Sequence, residues 1–466
     1  MSELVAALSY ALDLTEGQPM GHSARVCMLG MRVAAEIGMT LEERAGLYYA
    51  LLIKDAGCSS NASRLFHIVA ADEIRAKRDV KTTDWTRVGF ESVRYAVAHV
   101  ATGKPFVERV AALARVAANR NTDSCELVKI RCERGASIAR RMGFGKAVAD
   151  GIYSLDEQWN GSGYPDHLRG GEIPLFSRIA LLCQTLEVFW REHGADRALE
   201  VIELRAGRWF EPELVRAAAS LAERDLLWEG LDSPKLLESV WELEPEEKRL
   251  PLTRARMDDI CLAFAEVVDA KSPFTYRHSN GVAEAAVAIG QTLGMADDDL
   301  RLLRRAGLLH DIGKLSVPNT ILEKPAKLDA EEWAIVKRHP YYSWEILRRV
   351  PGFGKLSEVA ASHHERLDGK GYFRSLEGAQ LDVPSRILAV ADVFDALAAK
   401  RPYRDALPLD TVLEMMRKDA PHALDAECLE ALATTMNRSL GHLSVSAGES
   451  AVLESGLTVS TTQKCF

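Results

Sequence analysis

The sequence predicts an all-α protein made of two related helical halves. Apolar residues recur at helical spacing, as in Val282, Ala286, Ile289 and Leu293 and again in Ile387, Val390, Phe394 and Leu397, so each set marks one buried helix face. The apolar/polar alternation of strands is scarce. Short motifs of the first half also return, in the same order, in the second.

Taken along the chain, the first pair of motifs is Gly21-His22-Ser23-Ala24-Arg25-Val26 and Arg277-His278-Ser279-Asn280-Gly281-Val282. The next is Lys54-Asp55-Ala56-Gly57 and His310-Asp311-Ile312-Gly313, and 278 minus 22 and 311 minus 55 are each 256. Further on, Gly161-Ser162-Gly163-Tyr164-Pro165 pairs with Gly369-Lys370-Gly371-Tyr372-Phe373, and Ser177-Arg178-Ile179 with Ser385-Arg386-Ile387, now 208 apart. The change of offset implies 256 minus 208, or 48, extra residues in the first copy between Asp55 and Leu155. Two consistent offsets indicate a duplicated domain rather than a short-period solenoid. Ser316-Val317-Pro318-Asn319 and Val350-Pro351-Gly352 break the helices of the second copy. Residues 228–254, rich in Glu, Lys, Pro and Leu without a sustained apolar face, are expected to connect domains 1–227 and 255–440, with the boundary near 247. Residues 441–466, rich in Ser, Gly and Thr, form a tail without a functional signal.

Composition bounds the function classes. A chain of 466 residues is too long for one ordinary core, and its 47% apolar and 27% charged residues are those of a folded soluble protein. Neither a membrane span nor a signal peptide is indicated, so the expected compartment is the cytoplasm. Eight scattered cysteines without a Cys-x-x-Cys pair fit reduced thiols. A formal charge of −9 argues against polymeric nucleic acid as a partner, while leaving room for a small anion held by local basic residues.

Five of the twelve histidines fall between 278 and 364, beside apolar helical sequence. With two carboxylates they make an ordered set of candidate metal ligands: His278, His310, Asp311, His339, His363, His364 and Asp392. Imidazole and carboxylate together suit iron, manganese or zinc, whereas calcium would take oxygen alone. Seven ligands exceed the needs of one ion. A carboxylate such as Asp311 can bridge two, and a pair roughly 3.5–4 Å apart can stabilise the attacking and leaving oxygens of a phosphoryl displacement. Adjacent His363 and His364 diverge by about 100° around a helix, so both reach one pocket only if it lies along that edge or spans two metals, and two ions would use both.

The order and spacing of these motifs resemble the HD-GYP family, the cyclic-dinucleotide phosphodiesterases of the HD hydrolase superfamily. The resemblance spans about Asp258 to Leu429, through His310-Asp311-Ile312-Gly313-Lys314, Lys337-Arg338-His339-Pro340, His363-His364-Glu365-Arg366-Leu367-Asp368-Gly369, Ala391-Asp392-Val393-Phe394-Asp395-Ala396-Leu397 and Arg401-Pro402-Tyr403-Arg404. It implies two tandem HD-type helical domains. It also implies that the seven residues bind metal and that a hydroxide between two divalent ions, iron or manganese foremost, opens the cyclic dinucleotide to a linear one. Lys314, Tyr372, Arg401 and Arg404 would hold the substrate, with Lys314 also stabilising charge on the reacting phosphate. Some members add a third metal through a glutamate four residues before the first histidine; Phe274 stands there, so two ions are expected. A homodimer or a signalling partner completes the expected associations.

Two departures matter. The signature Gly-Tyr-Pro is Gly371-Tyr372-Phe373, which replaces a fixed backbone angle by an aromatic ring and bears on substrate choice, cyclic di-GMP or 3'3'-cGAMP. The first copy keeps Gly163-Tyr164-Pro165 but has Lys54 for His310, Leu155-Asp156 for His363-His364, Gln184 for Asp392 and Cys132 near the place of His339. Only His22 and Asp55 persist, so a catalytically dead, regulatory or structural copy is expected. Asp368 and Asp395 are expected to support ligands rather than bind metal, and an isolated histidine such as His22 or His67 to be structural. The other readings of the second copy are a different HD phosphohydrolase acting on nucleotides and a cyclic-dinucleotide receptor without turnover.

Overall fold

The computed structural model describes residues 1–436 except 70, 84–87, 103–104, 247–248, 274, 276, 399–405 and 421. Phe274, Arg401, Arg404 and the 441–466 tail therefore lie outside the described residues. Among those described the fold is all-α, without a strand; isolated bridges join Ala206 to Phe210 and Asp368 to Glu377.

Several helices of the two halves correspond. His22–Glu36 matches His278–Thr292 and Leu41–Ile53 matches Asp297–Leu309 at the offset of 256, while Lys146–Tyr153 matches Gly354–Ala361 at 208. The starts of these helices are written locally. Thr40 and Glu43 form a reciprocal capping box before Leu41, and Asp297, Asp298 and Asp299 place negative charge at the positive end of the equivalent helix. A buried polar clamp is also duplicated: Asp13 Oδ1 accepts from Ser23 N and Oγ at 2.9 and 2.7 Å, and Asp269 Oδ1 from Ser279 N and Oγ at 3.3 and 2.6 Å.

Glycine packing fixes to the residue a correspondence that the sequence places only near Cys132. A side chain on Gly313 would collide with the carbonyl oxygen of His339, and one on Gly57 with that of Arg131. Arg131, not Cys132, thus occupies the place of His339, and 339 minus 131 is again 208. The extra residues of the first copy consequently fall between Gly57 and Arg131. That stretch holds the helices Ala62–Val69, Glu73–Thr82 and Val88–His99 and most of the long Phe106–Arg141 helix.

The halves pack reciprocally. Ser2–Thr15 of the first copy lies on Ile312–Ser316 and His339–Leu347 of the second, and Arg254–Asp269 of the second lies on Cys58–Asn61 and Phe106–Arg141 of the first. Leu4, Leu8 and Leu12 of the first of these helices are fully buried, in a core continuous with that of the second half. Such an exchange of equivalent surfaces is what a twofold relation between copies produces. Within residues 228–254, Leu236–Glu242 forms a helix whose Leu236, Leu237 and Val240 are buried against the first copy, and Trp228 stacks on Trp190 at 5.9 Å. No helix among the described residues is long and apolar enough to cross a membrane.

Candidate metal centre

The seven residues proposed from sequence converge, mostly from the ends of helices. His278 opens His278–Thr292, His310 closes Asp297–Leu309, Asp311 leads into the 3-10 helix Ile312–Ser316, and His339 opens His339–Leu347. His363 and His364 lie in the turn after Gly354–Ala361, whose C-cap is Ser362, so helical divergence does not govern them. Asp392 projects from the middle of Val383–Ala398. All seven are buried except His364, whose side chain keeps 24% of its exposure and lies on the open side with Lys314 at 20%.

Asp311 stands at the centre. Its Oδ2 lies 3.4 Å from His278 Nε2 and 3.3 Å from His310 Nε2; its Oδ1 lies 3.3 Å from His339 Nε2 and 3.6 Å from His363 Nε2. Asp392 Oδ1 approaches His278 and His310 Nε2 at 3.3 and 3.6 Å, and its Oδ2 approaches His364 Nδ1 at 3.6 Å. Donor atoms of His278, His310 and Asp392, and separately of His339, His363 and His364, lie within 4.8 Å of one another.

The outer ring nitrogens are held. His310, His339 and His363 direct Nδ1 at the carbonyls of Gly307, Val336 and Ala360, three residues back in each case, at 2.8, 2.7 and 2.6 Å. His278 Nδ1 meets Asp395 Oδ2 at 2.6 Å. A proton fixed on Nδ1 leaves the Nε2 lone pair facing inward, as metal ligation needs. His310 Nε2 and Asp311 Oδ1 are buried without a hydrogen-bond partner, an arrangement costly without a cation. The donor set fits divalent metal.

The electrostatics divide the cluster. Burial lowers an imidazole, yet Asp311 and Asp392 outweigh it at His310 and raise it to about 9, and the carboxylates likewise raise His278. Burial dominates at His339 and His363, which are lowered, and at His364, which falls to about 3. Burial alone would raise Asp311; His310 and Lys314 instead hold it well below the usual carboxylate range. The carboxylate side therefore attracts positive charge while the other side offers nitrogen donors, as a cation site needs.

Lys314 Nζ lies 2.5 Å from Asp311 Oδ2. Tyr372 rests its ring 4.6 Å from that of His364 and 6.0 Å from Trp333, which is 44% exposed. Phe373 has a φ of +102°, a conformation strained for a side-chain residue, and packs 6.0 and 6.1 Å from Tyr341 and Trp344 with the Arg374 guanidinium over its ring. Glu365 pins this loop by accepting from the backbone N–H of Arg374 and Leu376. Trp333, Tyr341 and Glu365 had no role in the sequence reading; the four-residue spacing of Trp333 and Lys337 before His339 gives no signal of its own.

In the first copy cations occupy the corresponding ground. Lys54 pairs with Asp55 and lies 3.3 Å from His22 Nε2. Lys81 Nζ lies 2.8 Å from Glu16, 3.9 Å from Asp55 and 3.5 Å from Gln184, and Arg131 pairs with Asp156. Glu16, Asp55 and Cys58 cluster there too, but with Lys77 and Lys81 already among them.

The HD domain family matches this chain over residues 8–214 and 263–428. The 3'3'-cGAMP-specific phosphodiesterase 3 of Vibrio cholerae is 43% identical over 437 residues, which is 94% of this chain and 95% of that protein. A cyclic di-GMP phosphodiesterase response regulator of Xanthomonas campestris is 33% identical over 49% of this chain and 58% of its own length. Among solved structures, a cyclic GMP-AMP-specific phosphodiesterase of V. cholerae aligns with a TM-score of 0.65 and 40% identity, covering 94% of this chain and 97% of that one. The chain belongs to the HD-GYP family of cyclic-dinucleotide phosphodiesterases, as a tandem of HD domains.

Proposed function

We propose that the second half hydrolyses a cyclic dinucleotide to the linear dinucleotide using two divalent ions, iron or manganese. One observation supports this above the rest: the two oxygens of Asp311 face two different groups of imidazoles, His278 with His310 and His339 with His363. Ions held there would supply a water-derived nucleophile at neutral pH and Lewis acidity toward phosphate oxygens. The chain's own part is to fix Nε2 of His278, His310, His339 and His363 inward through their Nδ1 contacts, to keep water away by burial and to present Lys314 to a phosphate. Tyr372 walls the open side beside His364, and Arg401 and Arg404 are assigned to the phosphates. The first half is a non-catalytic copy.

The substrate is 3'3'-cGAMP or cyclic di-GMP, and the similarity to a relative named for 3'3'-cGAMP favours the former. Parallel turnover assays of metal-loaded protein with both cyclic dinucleotides and a linear dinucleotide test this. The expected result is cyclic substrate consumed and linear product released. Selective cleavage of an unrelated phosphoester overturns the proposal.

A further inference from the structure

The helix Glu73–Thr82 lies in the extra residues of the first copy and has no counterpart in the second. Glu73, Lys77 and Lys81 recur every four residues and so share one face. Lys77 and Lys81 turn to the degenerate site, where both reach Glu16. Glu73 reaches the other half. Its side chain is 1% exposed, and its two oxygens each accept from the backbone N–H of Asn319 at 3.0 Å. Oε1 also lies 3.6 Å from Nζ of Lys271, which is 2% exposed.

Lys271 and Asn319 join two segments that carry the metal centre. Lys271 precedes His278 by seven residues, and its Nζ donates to the carbonyl of Leu315, four residues beyond Asp311, at 3.1 Å. Asn319 Nδ2 donates back to the Lys271 carbonyl at 2.8 Å and to Glu323 at 2.6 Å. Glu323 in turn accepts from Ser63 of the first copy at 3.0 Å. Two crossing bonds therefore tie the chain before His278 to the chain after Asp311, and Glu73 supplies the charge that stabilises the buried lysine at their junction. A buried ammonium deprived of its acid is strongly unfavourable, so the tie depends on the first half. Burial draws Lys271 down to about 8 and Glu73 upward, and the charge of each opposes the shift of the other.

We infer that Glu73 is a positioning residue for the catalytic half, holding His278 and Asp311 in register through Lys271 and Asn319. This rests on the reading of residues 278–392 as the metal centre. The non-catalytic copy thereby acquires a defined structural role, because its inserted helix completes the scaffold behind its neighbour's site.

The test uses the full chain with Glu73→Gln, Lys271→Met and the double substitution. Manganese(II) affinity is measured by calorimetry, kcat and KM by turnover of 3'3'-cGAMP, and folding by thermal melting. Glu73→Gln is expected to weaken manganese(II) binding and lower kcat, each about tenfold, as for other groups that orient ligands, with KM within about twofold. Lys271→Met should reproduce the loss, and the double variant should be no worse than Lys271→Met because both act at one junction. If Glu73→Gln does not fold, Lys271→Met carries the same readouts. Wild-type manganese(II) affinity and kcat in folded Glu73→Gln or Lys271→Met protein overturn the inference. Wild-type protein that binds manganese(II) without cleaving a cyclic dinucleotide overturns the proposed function instead, while the variants' metal affinity still decides the role of Glu73.

Discussion

His278 Nδ1 lies 2.6 Å from Asp395 Oδ2, and in the first copy His22 Nδ1 keeps the same contact with Glu187 at 2.5 Å. The contact is present in both copies, including the one that lacks most of the other candidate ligands, as a scaffold contact would be. In the second copy it also fixes which nitrogen of His278 faces Asp311 and Asp392. Replacing Asp395 by Asn leaves a neutral partner that can present either an oxygen or an amide. We expect Asp395→Asn to weaken manganese(II) affinity roughly ten- to a hundredfold while the fold is retained. Calorimetric titration checks this, and unchanged affinity would remove Asp395 from the role.

Asp311 offers one oxygen to each group of histidines. Asn in its place loses the negative charge and turns one of the two acceptors into a donor aimed at imidazole nitrogen. Turnover by Asp311→Asn is expected to fall at least about a thousandfold, since an interaction of several kcal/mol with the ions is lost. Circular dichroism should remain that of the wild type. Normal activity in this variant would refute the site.

That the seven candidate residues cluster is legible because most of them sit beside helices whose apolar pattern recurs in the first copy at one of two offsets, as with His22 and His278. The counterpart of His339 is legible only to within a residue of Cys132, because the offset changes within an insertion and the periodicity of Phe106–Arg141 runs through that change without a mark. The placement of His363 and His364 was misjudged because Ser362 ends the preceding helix without glycine or proline to signal it. Glu73, Lys271 and Asn319 were invisible for another reason. Isolated polar residues look alike in sequence whether solvated or buried, and only the packing of the halves buries these three. The helix Leu236–Glu242 escaped notice because seven residues are too few to establish a period.

Phe373 gains its packing on Tyr341 and Trp344 at the expense of an unfavourable φ, so this ring position is imposed by its surroundings. Its neighbour Tyr372 lies against the candidate ligand His364. Phe373→Ala should change the ratio of kcat/KM for 3'3'-cGAMP and cyclic di-GMP by roughly two- to tenfold, the size of one aromatic contact, with metal content unchanged. An unaltered ratio would show that the ring serves the loop alone.

Glu187 gives a pH signature for the first half. Burial would raise it, but His22 and Arg25 outweigh that and lower it from 4.5 to about 2. A carboxylate lowered in the folded state contributes stability that is present above its unfolded value and is lost as pH falls from about 4.5 toward 2. The melting temperature of the wild type should therefore fall more steeply over that interval than that of Glu187→Gln. Parallel slopes would show that the carboxylate is not held as the geometry implies.

Lys81 tests whether the first copy is truly closed to metal. Burial lowers its affinity for a proton, but Asp55 and Glu16 more than compensate, so it stays charged between them. Lys81→Met leaves Asp55 paired with Lys54 and Glu16 with Lys77, so the loss should be smaller than the roughly 3–5 kcal/mol of a buried charge left without a partner. The variant should melt at lower temperature without taking up further metal, because Lys54 still occupies the place of His310 and Gln184 that of Asp392. Metal quantification after dialysis against manganese(II) decides the matter. Additional bound metal in Lys81→Met would mean that Lys81 alone kept it out, and that Lys54 and Gln184 do not close the first copy to metal.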